Sequence, residues 1–462
     1  MLDLKALRRD PDAARAALAR RGGTDAEAFD AVLELDERRR ELLPQLETLR
    51  AEQNAANGAI AQAKKAAKAS GDQTEADAAV AAMRDVSARA KAIQEELASV
   101  ESGLADQQAR LPNLPHADAP PQDTVLRTIG EPRIDGLGAR PAAAGSVAAP
   151  ARPGAPTEDG PATVEVAAPA TEPKDHLELA GAHRVDMERG ARLSGSRFAY
   201  LRGDLVFLEL ALVQWALSKL RDKGHEAVIP PVLVREDALY GTGFLPDTEQ
   251  QIYALPGDDL YLVGTSEVAL ASMHAGEILE VAELPLRYAG FSPCFRREAG
   301  AAGASDRGLF RVHQFDKVEM FSFVPPEDAE EEHARLLAIE EEILTDLGIP
   351  YQVVDIAVDD LGASAARKFD CEAWLPSQGQ YRELTSTSNT TDFQARRLGT
   401  RLKDSRPESA RKPEPLATLN GTAVAVGRTI IALLEHGQRE DGTIVLPECL
   451  APFGAPRVLP AA

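Results

Sequence analysis

The chain has 462 residues, of which 44% are hydrophobic, so it can hold two or three domains and bury a sizeable core. Its formal net charge of -22 argues against a general nucleic-acid coat, and eight histidines with no HxxxH or Cys/His cluster point to no zinc site. Three cysteines with no CxxC argue against a disulfide framework and for a reduced, cytoplasmic protein; the charged start of the chain carries no signal peptide and no segment reads as a membrane span.

Residues 1 to about 24 read as a short helical lead-in ending at Gly22-Gly23. A heptad series follows, Val32, Leu35, Arg39, Leu42, Leu46, Leu49, Gln53, Ala56 and Ile60, alternating steps of three and four. A second series runs Met83, Val86, Ala90, Ile93, Leu97, Val100, Leu104, Gln107 and Leu111, with a turn signal at Ser70-Gly71-Asp72-Gln73-Thr74 between the two. This predicts an antiparallel two-helix coiled coil about 40–60 Å long at 1.5 Å per residue. Pro44 removes a backbone donor, so the first helix is expected to kink there or to begin in earnest near Gln45. Residues 1–112 hold about 17 basic and 20 acidic side chains, near balance, while the rest is strongly acidic; an RNA would bind through this part. By itself the hairpin also reads as a dimerisation or spacer coiled coil.

Leu111-Pro112-Asn113-Leu114-Pro115 ends the arm. Residues 133 to about 172 are rich in Pro, Ala and Gly and read as a flexible or surface insertion, with Thr163–Val166 a candidate edge strand. From Lys174 the composition becomes globular. A helix is expected from near Gly203-Asp204 to Leu220, and others over Glu327–Leu347 and Thr422–Gln438. Strand candidates are Ala227–Val234, Ile252–Leu255, Leu260–Val263, Leu286–Phe291, Gly308–Phe323, Tyr351–Val358, Phe369–Trp374, Tyr381–Ser388 and Ala417–Leu419. Strands outnumber β-α alternations, which predicts an α+β fold with an antiparallel sheet and flanking helices. Neither a P-loop nor a dinucleotide fingerprint is present.

Four clusters carry chemistry. Gly264-Thr265-Ser266-Glu267 precedes a helical segment; its hydroxyl and carboxylate can hold an ammonium group, or can equally cap the helix. Phe295-Arg296-Arg297-Glu298, the glycine-rich loop to Gly308, and Arg311–Glu319 form a hairpin with arginine for phosphate, phenylalanine for a purine and glutamate for an ammonium. A solvated Arg/Glu hairpin is the plainer alternative. Tyr381–Asn389 sets an acid and hydroxyls on one strand, although Glu383 and Ser386, three apart, would face opposite sides unless a bulge intervenes. Leu419–Arg428 opens a helix and carries Thr422 and Arg428; here the alternative is a helix cap with a surface arginine.

These segments, in this order, resemble the class II aminoacyl-tRNA synthetases, specifically the bacterial-type seryl-tRNA synthetases. The resemblance covers nearly the whole chain, with the helix and strand before Pro230-Pro231 similar to the dimer-forming motif 1. It implies a tRNA-binding arm over 1–112, a linker over 113–172 and a class II catalytic domain over 173–462. It further implies an ATP- and Mg²⁺-dependent ligase that activates L-serine to seryl-adenylate and transfers it to tRNA(Ser), and to tRNA(Sec), as a homodimer. By the same resemblance Arg296, Glu298 and Arg428 are catalytic. Arg296 meets the α-phosphate and the serine, Glu298 the adenine side and Arg428 the γ-phosphate. Phe315 packs on adenine, Val312 touches the nucleotide through its backbone, and Arg297 has a supporting role. Thr265, Glu267, Glu319 and Thr422 hold serine; Glu383 holds Mg²⁺ and Ser386 the phosphate beside it. Thr242–Pro246 resembles a loop placed over the site, and Gly300–Arg307 a loop that meets the tRNA acceptor end. Candidate tRNA contacts on the arm are Arg38, Arg40, Arg50, Lys64, Lys65 and Lys68; Arg39 falls on the heptad seam, which weakens it as an exposed contact. A carrier-protein aminoacylating relative, a silent regulatory relative and a coiled-coil scaffold remain as other readings, the first lacking such an arm and using zinc.

Overall fold

A computed structural model describes residues 1–70, 72, 74–131, 172–246, 251–299 and 308–462. The expected 133–172 insertion, apart from Glu172, therefore lies outside the described residues, as do its candidate edge strand and the Gly300–Arg307 loop. The described chain divides into two compact units, Leu2–Leu111 and Pro112–Ala462. No helix among the described residues is long and apolar enough to cross a membrane.

In the first unit, α1 (Leu4–Arg9) and α2 (Pro11–Ala19) are capped by Asp3 and Asp10, whose carboxylates accept from Lys5 N and Ala13 N. Two long helices follow, α3 (Asp25–Ser70) and α4 (Thr74–Arg110). Arg38 pairs with Glu96 and Gln53 with Ser87, so partners fall in number on α4 as they rise on α3, as an antiparallel hairpin requires. Leu42, Leu46 and Leu49 pack with Ala90 and Leu97 to form the seam that the heptads predict. The expectation at Pro44 is corrected: α3 runs unbroken through it and begins at Asp25, not near Gln45. Proline removes one hydrogen bond, but its neighbours Leu42 and Leu46 are buried against α4, and packing outweighs one lost bond. Thr48 Oγ1 also donates to the Pro44 carbonyl, 2.9 Å away.

The second unit is built on an eight-stranded sheet among the described residues. Its strands are β1 (Thr124–Ile129), β2 (Glu226–Val228), β3 (Leu286–Phe295), β4 (Gln314–Val324), β5 (Tyr351–Asp355), β6 (Arg367–Leu375), β7 (Gln380–Asn389) and β8 (Ala417–Ala425). The spatial order is β1-β5-β6-β7-β8-β4-β3-β2. Every neighbouring pair is antiparallel except β2 with β3, which bears out the α+β expectation. The helices that matter for the site are α5 (Asp204–Asp222), α6 (Glu267–Ser272), α7 (Ala329–Asp346), α8 (Phe393–Leu398) and α9 (Val426–Gly437).

One correction concerns the last strand. The expected helix over Thr422–Gln438 starts only at Val426, and Thr422 lies on β8. The Ala-Val-Ala-Val run satisfies both periods, and pairing with β4 decides for the strand as far as Ala425. The core gathers Leu208, Leu212 and Trp215 of α5, Leu336 and Ile343 of α7, and Ile430 and Leu434 of α9 against Val318, Met320, Leu419 and Val424 of the sheet. Strand alternation then turns Phe315, Lys317 and Glu319 of β4 to the other face.

Candidate active site

A cavity of about 450 Å³ lies against that other face. It is lined by Thr265, Glu267, Arg296, Glu298, Val312, Phe315, Glu319, Glu383, Ser386, Thr422 and Arg428, so residues from all four sequence clusters meet in one place. Thr242, Gly243 and Phe244 line it as well. Arg297 does not: it is exposed, and its backbone N–H donates to Gln251 O at 2.9 Å.

Two one-residue slips in strand pairing make the convergence possible. Cys371 on β6 faces Thr385, whereas Glu372 faces Glu383, which leaves Leu384 as the extra residue of a bulge. The bulge brings Glu383 to the same cavity as Ser386, as the spacing of these two residues demands. A second slip leaves Ala423 unpaired and sets Thr422 directly across from Glu319.

The deepest part of the cavity is polar. Lys317 Nζ donates to Thr265 Oγ1 at 2.7 Å and contacts the Glu319 carboxylate, and Thr265 Oγ1 donates to Glu319 Oε2 at 3.0 Å. Burial pushes the Lys317 ammonium down to about 8. Glu267 Oε1 accepts from Gln394 Nε2 at 2.8 Å and from Asn420 Nδ2 at 3.0 Å. Burial raises the Glu267 carboxyl above its ordinary range, opposed by the Gln394 hydrogen bond and the charges of Lys317 and Arg296.

Towards the outer part the arginines are held in place. Arg296 Nε donates to Gly264 O at 3.1 Å, and its guanidinium lies over the Phe315 ring at 5.3 Å. Its carbonyl is 2.9 Å from His313 Nδ1, which ties the two arms of the hairpin together. Glu298 has φ of +48°, a left-handed conformation unusual for a side-chain-bearing residue, and its carboxylate accepts from Arg311 Nη1 at 2.9 Å. Arg428 Nη1 donates to Glu383 O at 2.9 Å, and the guanidinium packs over Phe310 at 4.8 Å. Burial pushes the Glu383 carboxyl up, but the charges of Arg428, Lys368 and Arg296 outweigh it and hold the group below its ordinary value. An ionised carboxylate beside the Ser386 hydroxyl is a hard-oxygen donor set that suits Mg²⁺ carried on phosphate. No group of three or more His, Cys, Asp or Glu with metal-ligand geometry occurs among the described residues.

Sequence reasoning missed Lys317, Arg311, Lys368 and Asn420, all of which line the cavity. Lys317 was within reach, since it alternates with Phe315 and Glu319 along one strand. Arg311 stands four residues before Phe315 in the stretch that carries the hairpin. Asn420 and Lys368 need the strand registers.

Comparison with known proteins agrees with this geometry. Residues 1–115 match the seryl-tRNA synthetase N-terminal domain, and residues 253–437 the class II tRNA synthetase core domain (G, H, P, S and T). Serine–tRNA ligase 1 of Streptomyces avermitilis is 47% identical over 467 residues, spanning 98% of this chain and 97% of that protein. Seryl-tRNA synthetase of Pyrococcus horikoshii, solved with ATP, superposes with a TM-score of 0.86 at 36% identity and covers 100% of both chains. Cytoplasmic serine–tRNA ligase of Naegleria fowleri, solved with AMP, gives a TM-score of 0.79 at 28% identity over 100% of this chain and 99% of that one. With its helical arm, its antiparallel sheet and these relatives along its whole length, the chain belongs to the seryl-tRNA synthetases, the ATP-dependent class II ligases that join serine to tRNA.

Proposed function

We propose that the cavity is the site of both half-reactions, with the residue roles that the resemblance implies. One observation carries the assignment: the polar group Thr265, Lys317, Glu319 and Thr422 opens into the same cavity as Arg296, Glu383 and Arg428. The first set has the chemistry to hold an ammonium and a hydroxyl, and the second to hold a polyphosphate and its cation. The serine carboxylate attacks the α-phosphorus, the α–β anhydride bond breaks and pyrophosphate leaves. The 3′-terminal ribose hydroxyl of tRNA then attacks the acyl carbon and AMP leaves. Arg296 neutralises the α-phosphate and Arg428 the γ-phosphate, Phe315 supports adenine, and Glu298, oriented by Arg311, meets the base. Glu383 and Ser386 would hold Mg²⁺, whose charge would neutralise the phosphates when bound. Catalysis is then positioning and electrostatics, without a side-chain nucleophile. Alanine would leave Glu319 and Thr422 without a hydroxyl partner, which disfavours it against serine.

Further parts of the reading rest on the surface. Residues 1–112 act as the tRNA-binding domain, with the arm gripping the variable arm of tRNA(Ser) and of tRNA(Sec), and the catalytic domain begins near residue 173. Phe207 and Leu210 on α5 and Ile229 after β2 are 59%, 48% and 82% exposed, an apolar patch at motif 1 that supports a homodimer. Three free cysteines and the cytoplasmic relative support a cytoplasmic location.

The test is ATP–pyrophosphate exchange with serine, and with alanine, threonine and glycine as controls. Exchange with serine alone is expected, with the serine KM raised at least tenfold in Glu319→Gln, the loss of one charged hydrogen bond. A serine KM unchanged in both Glu319→Gln and Thr422→Val would overturn the assignment of the pocket.

A further inference from the structure

Gln394 is 0% exposed on the short helix α8 and contributes nothing to the cavity wall, yet each polar atom of its side chain is engaged by a different part of the site. Its Nε2 donates to Glu267 Oε1 at 2.8 Å and to the Thr242 carbonyl at 3.2 Å. Its Oε1 accepts from Thr418 Oγ1 at 2.9 Å; Thr390 Oγ1 lies 3.4 Å away and donates its single proton to the Thr418 carbonyl at 2.7 Å. The amide has one workable orientation, because a carboxylate and a carbonyl on one side can only accept, whereas the Thr418 hydroxyl on the other can donate. One side chain thus joins the last residue of the helix Glu236–Thr242, the start of α6, strand β8 and the segment after β7.

We propose that Gln394 is a positioning residue for amino-acid binding, holding the Glu267 carboxylate and the helix end at Thr242 in one arrangement. The proposal rests on the reading of the cavity as the serine site. A buried carboxylate stays charged only with donors aimed at it. Glu267 has two, the amides of Gln394 and Asn420, both on the same oxygen. The groups facing it are the cations Lys317 and Arg296, and burial works against all of these. Without Gln394, Glu267 would keep one amide donor, and the helix end at Thr242 would lose this tie to the serine pocket. The Thr418 hydroxyl behind Gln394 fixes its rotation, so the geometry is set from β8 and not from the cavity.

The experiment uses the full chain with Gln394→Met, of similar size but without hydrogen bonds. In pyrophosphate exchange the serine KM is expected to rise about tenfold, which is about 1.4 kcal/mol, with the ATP KM and the rate at saturating serine within about twofold of wild type. The fall of kcat/KM for serine at low pH should also move to higher pH. The lost bond lowers the Glu267 pKa in the wild type, so its removal raises that pKa further, and a merely structural role would not shift this limb. Thr418→Val, which frees the Gln394 carbonyl, is expected to raise the serine KM less and in the same direction, and it decides the matter should Gln394→Met not fold. Glu267→Gln separates the proposal from the reading beneath it. If Glu267→Gln raises the serine KM while Gln394→Met and Thr418→Val leave it unchanged, the role of Gln394 is overturned and the serine pocket stands. If Glu267→Gln leaves it unchanged, Glu267 does not hold serine, and the proposal falls with that part of the reading.

Discussion

Lys317 donates to Thr265 Oγ1 at 2.7 Å while also touching the Glu319 carboxylate, so a cation of the protein shares the carboxylate proposed for the ammonium of serine. The charged Lys317 is the donor that sets Thr265 and Glu319 in place for the substrate, and burial pushes its ammonium down to about 8, so this donor titrates close to neutral pH. As the pH passes about 8, Lys317 is expected to lose its charge, the Thr265–Glu319 geometry to loosen and the serine KM to rise. Lys317→Met is expected to start on this high plateau, lowering kcat/KM for serine by about 100-fold, because Thr265 and Glu319 lose the donor they share. Steady-state exchange from pH 6.5 to 9.5 checks this; a variant that keeps the alkaline limb of the wild type beyond that of serine itself contradicts it. Stability should respond with the opposite sign. The folded pKa lies below the unfolded value of about 10.4, so the unfolded chain binds more protons between the two, and the Lys317 contribution improves as pH rises through that window.

A second buried acid, Glu340 on α7, lies under the sheet. Thr385 Oγ1 donates to its Oε2 at 2.9 Å, and a Cβ added to Gly421 would approach its Oε1 to 2.9 Å. Burial raises the Glu340 carboxyl well above its ordinary value. Its folded pKa exceeds the unfolded one, so its contribution is fully present below the unfolded value and is lost as pH rises towards the folded pKa. Glu340→Gln is therefore expected to melt at or above wild type at pH 7.5, and to flatten the decline in stability from pH 5 upwards. Gly421→Ala is expected to cost about 1–3 kcal/mol through overpacking. Thermal melts at several pH values decide both; a Glu340→Gln protein that melts well below wild type at pH 7.5 would show that the charged form is the one the fold uses.

The phosphate side of the cavity gives a third expectation. Glu383 combines a carboxylate held ionised by Arg428, Lys368 and Arg296 with a place beside Ser386. Glu383→Gln keeps the shape and removes the charge. It is expected to lower the exchange rate at least 100-fold at ordinary Mg²⁺ and to raise the Mg²⁺ concentration needed for half-maximal rate. Ser386→Ala is expected to act in the same direction by about tenfold. A Mg²⁺ titration at saturating ATP reads both, and an unchanged half-maximal Mg²⁺ in Glu383→Gln would place the ion elsewhere.

These residues also mark what the sequence could and could not reveal. The alternation of Phe315, Lys317 and Glu319 is a period-two pattern, and it places one face of β4 on the cavity before any coordinates are known. The heptads of α3 and α4 are equally legible, because the apolar seam is a local repeat. The bulge at Leu384 could be inferred only as a necessity of chemistry, since nothing in Glu383-Leu384-Thr385 dictates it; the bulge at Ala423 could not be inferred at all. Pro44 misled because its cost is local whereas the packing of Leu42, Leu46 and Leu49 is tertiary. Gln394 and Asn420 stayed hidden because an amide 127 or 153 residues from Glu267 carries no signal of its partner in the sequence.

The arm offers a prediction that separates candidate tRNA contacts by what they already touch. Arg38 donates to Glu96 at 2.8 Å and to Glu41 at 2.8 Å, and Arg39 reaches Glu101 at 3.1 Å, so these two cations are committed to the hairpin itself. Arg40, Arg50, Lys64, Lys65 and Lys68 are exposed on α3 and form no ion pair with another described residue. A phosphate can take a solvated lysine without displacing a carboxylate, whereas Arg38 would first have to leave two. Reversing charge at Lys64, Lys65 and Lys68 together is expected to raise the KM for tRNA at least tenfold and to flatten its dependence on salt by about two to three counterions. Serine-dependent pyrophosphate exchange should stay unchanged, because no residue of α3 or α4 lines the cavity. Arg38→Ala is expected to change the tRNA KM by less than about threefold, exposed pairs being worth little. Aminoacylation at several salt concentrations, set beside exchange on the same preparations, reads all of these. A triple variant with an unchanged tRNA KM would move the RNA contact away from this face of α3.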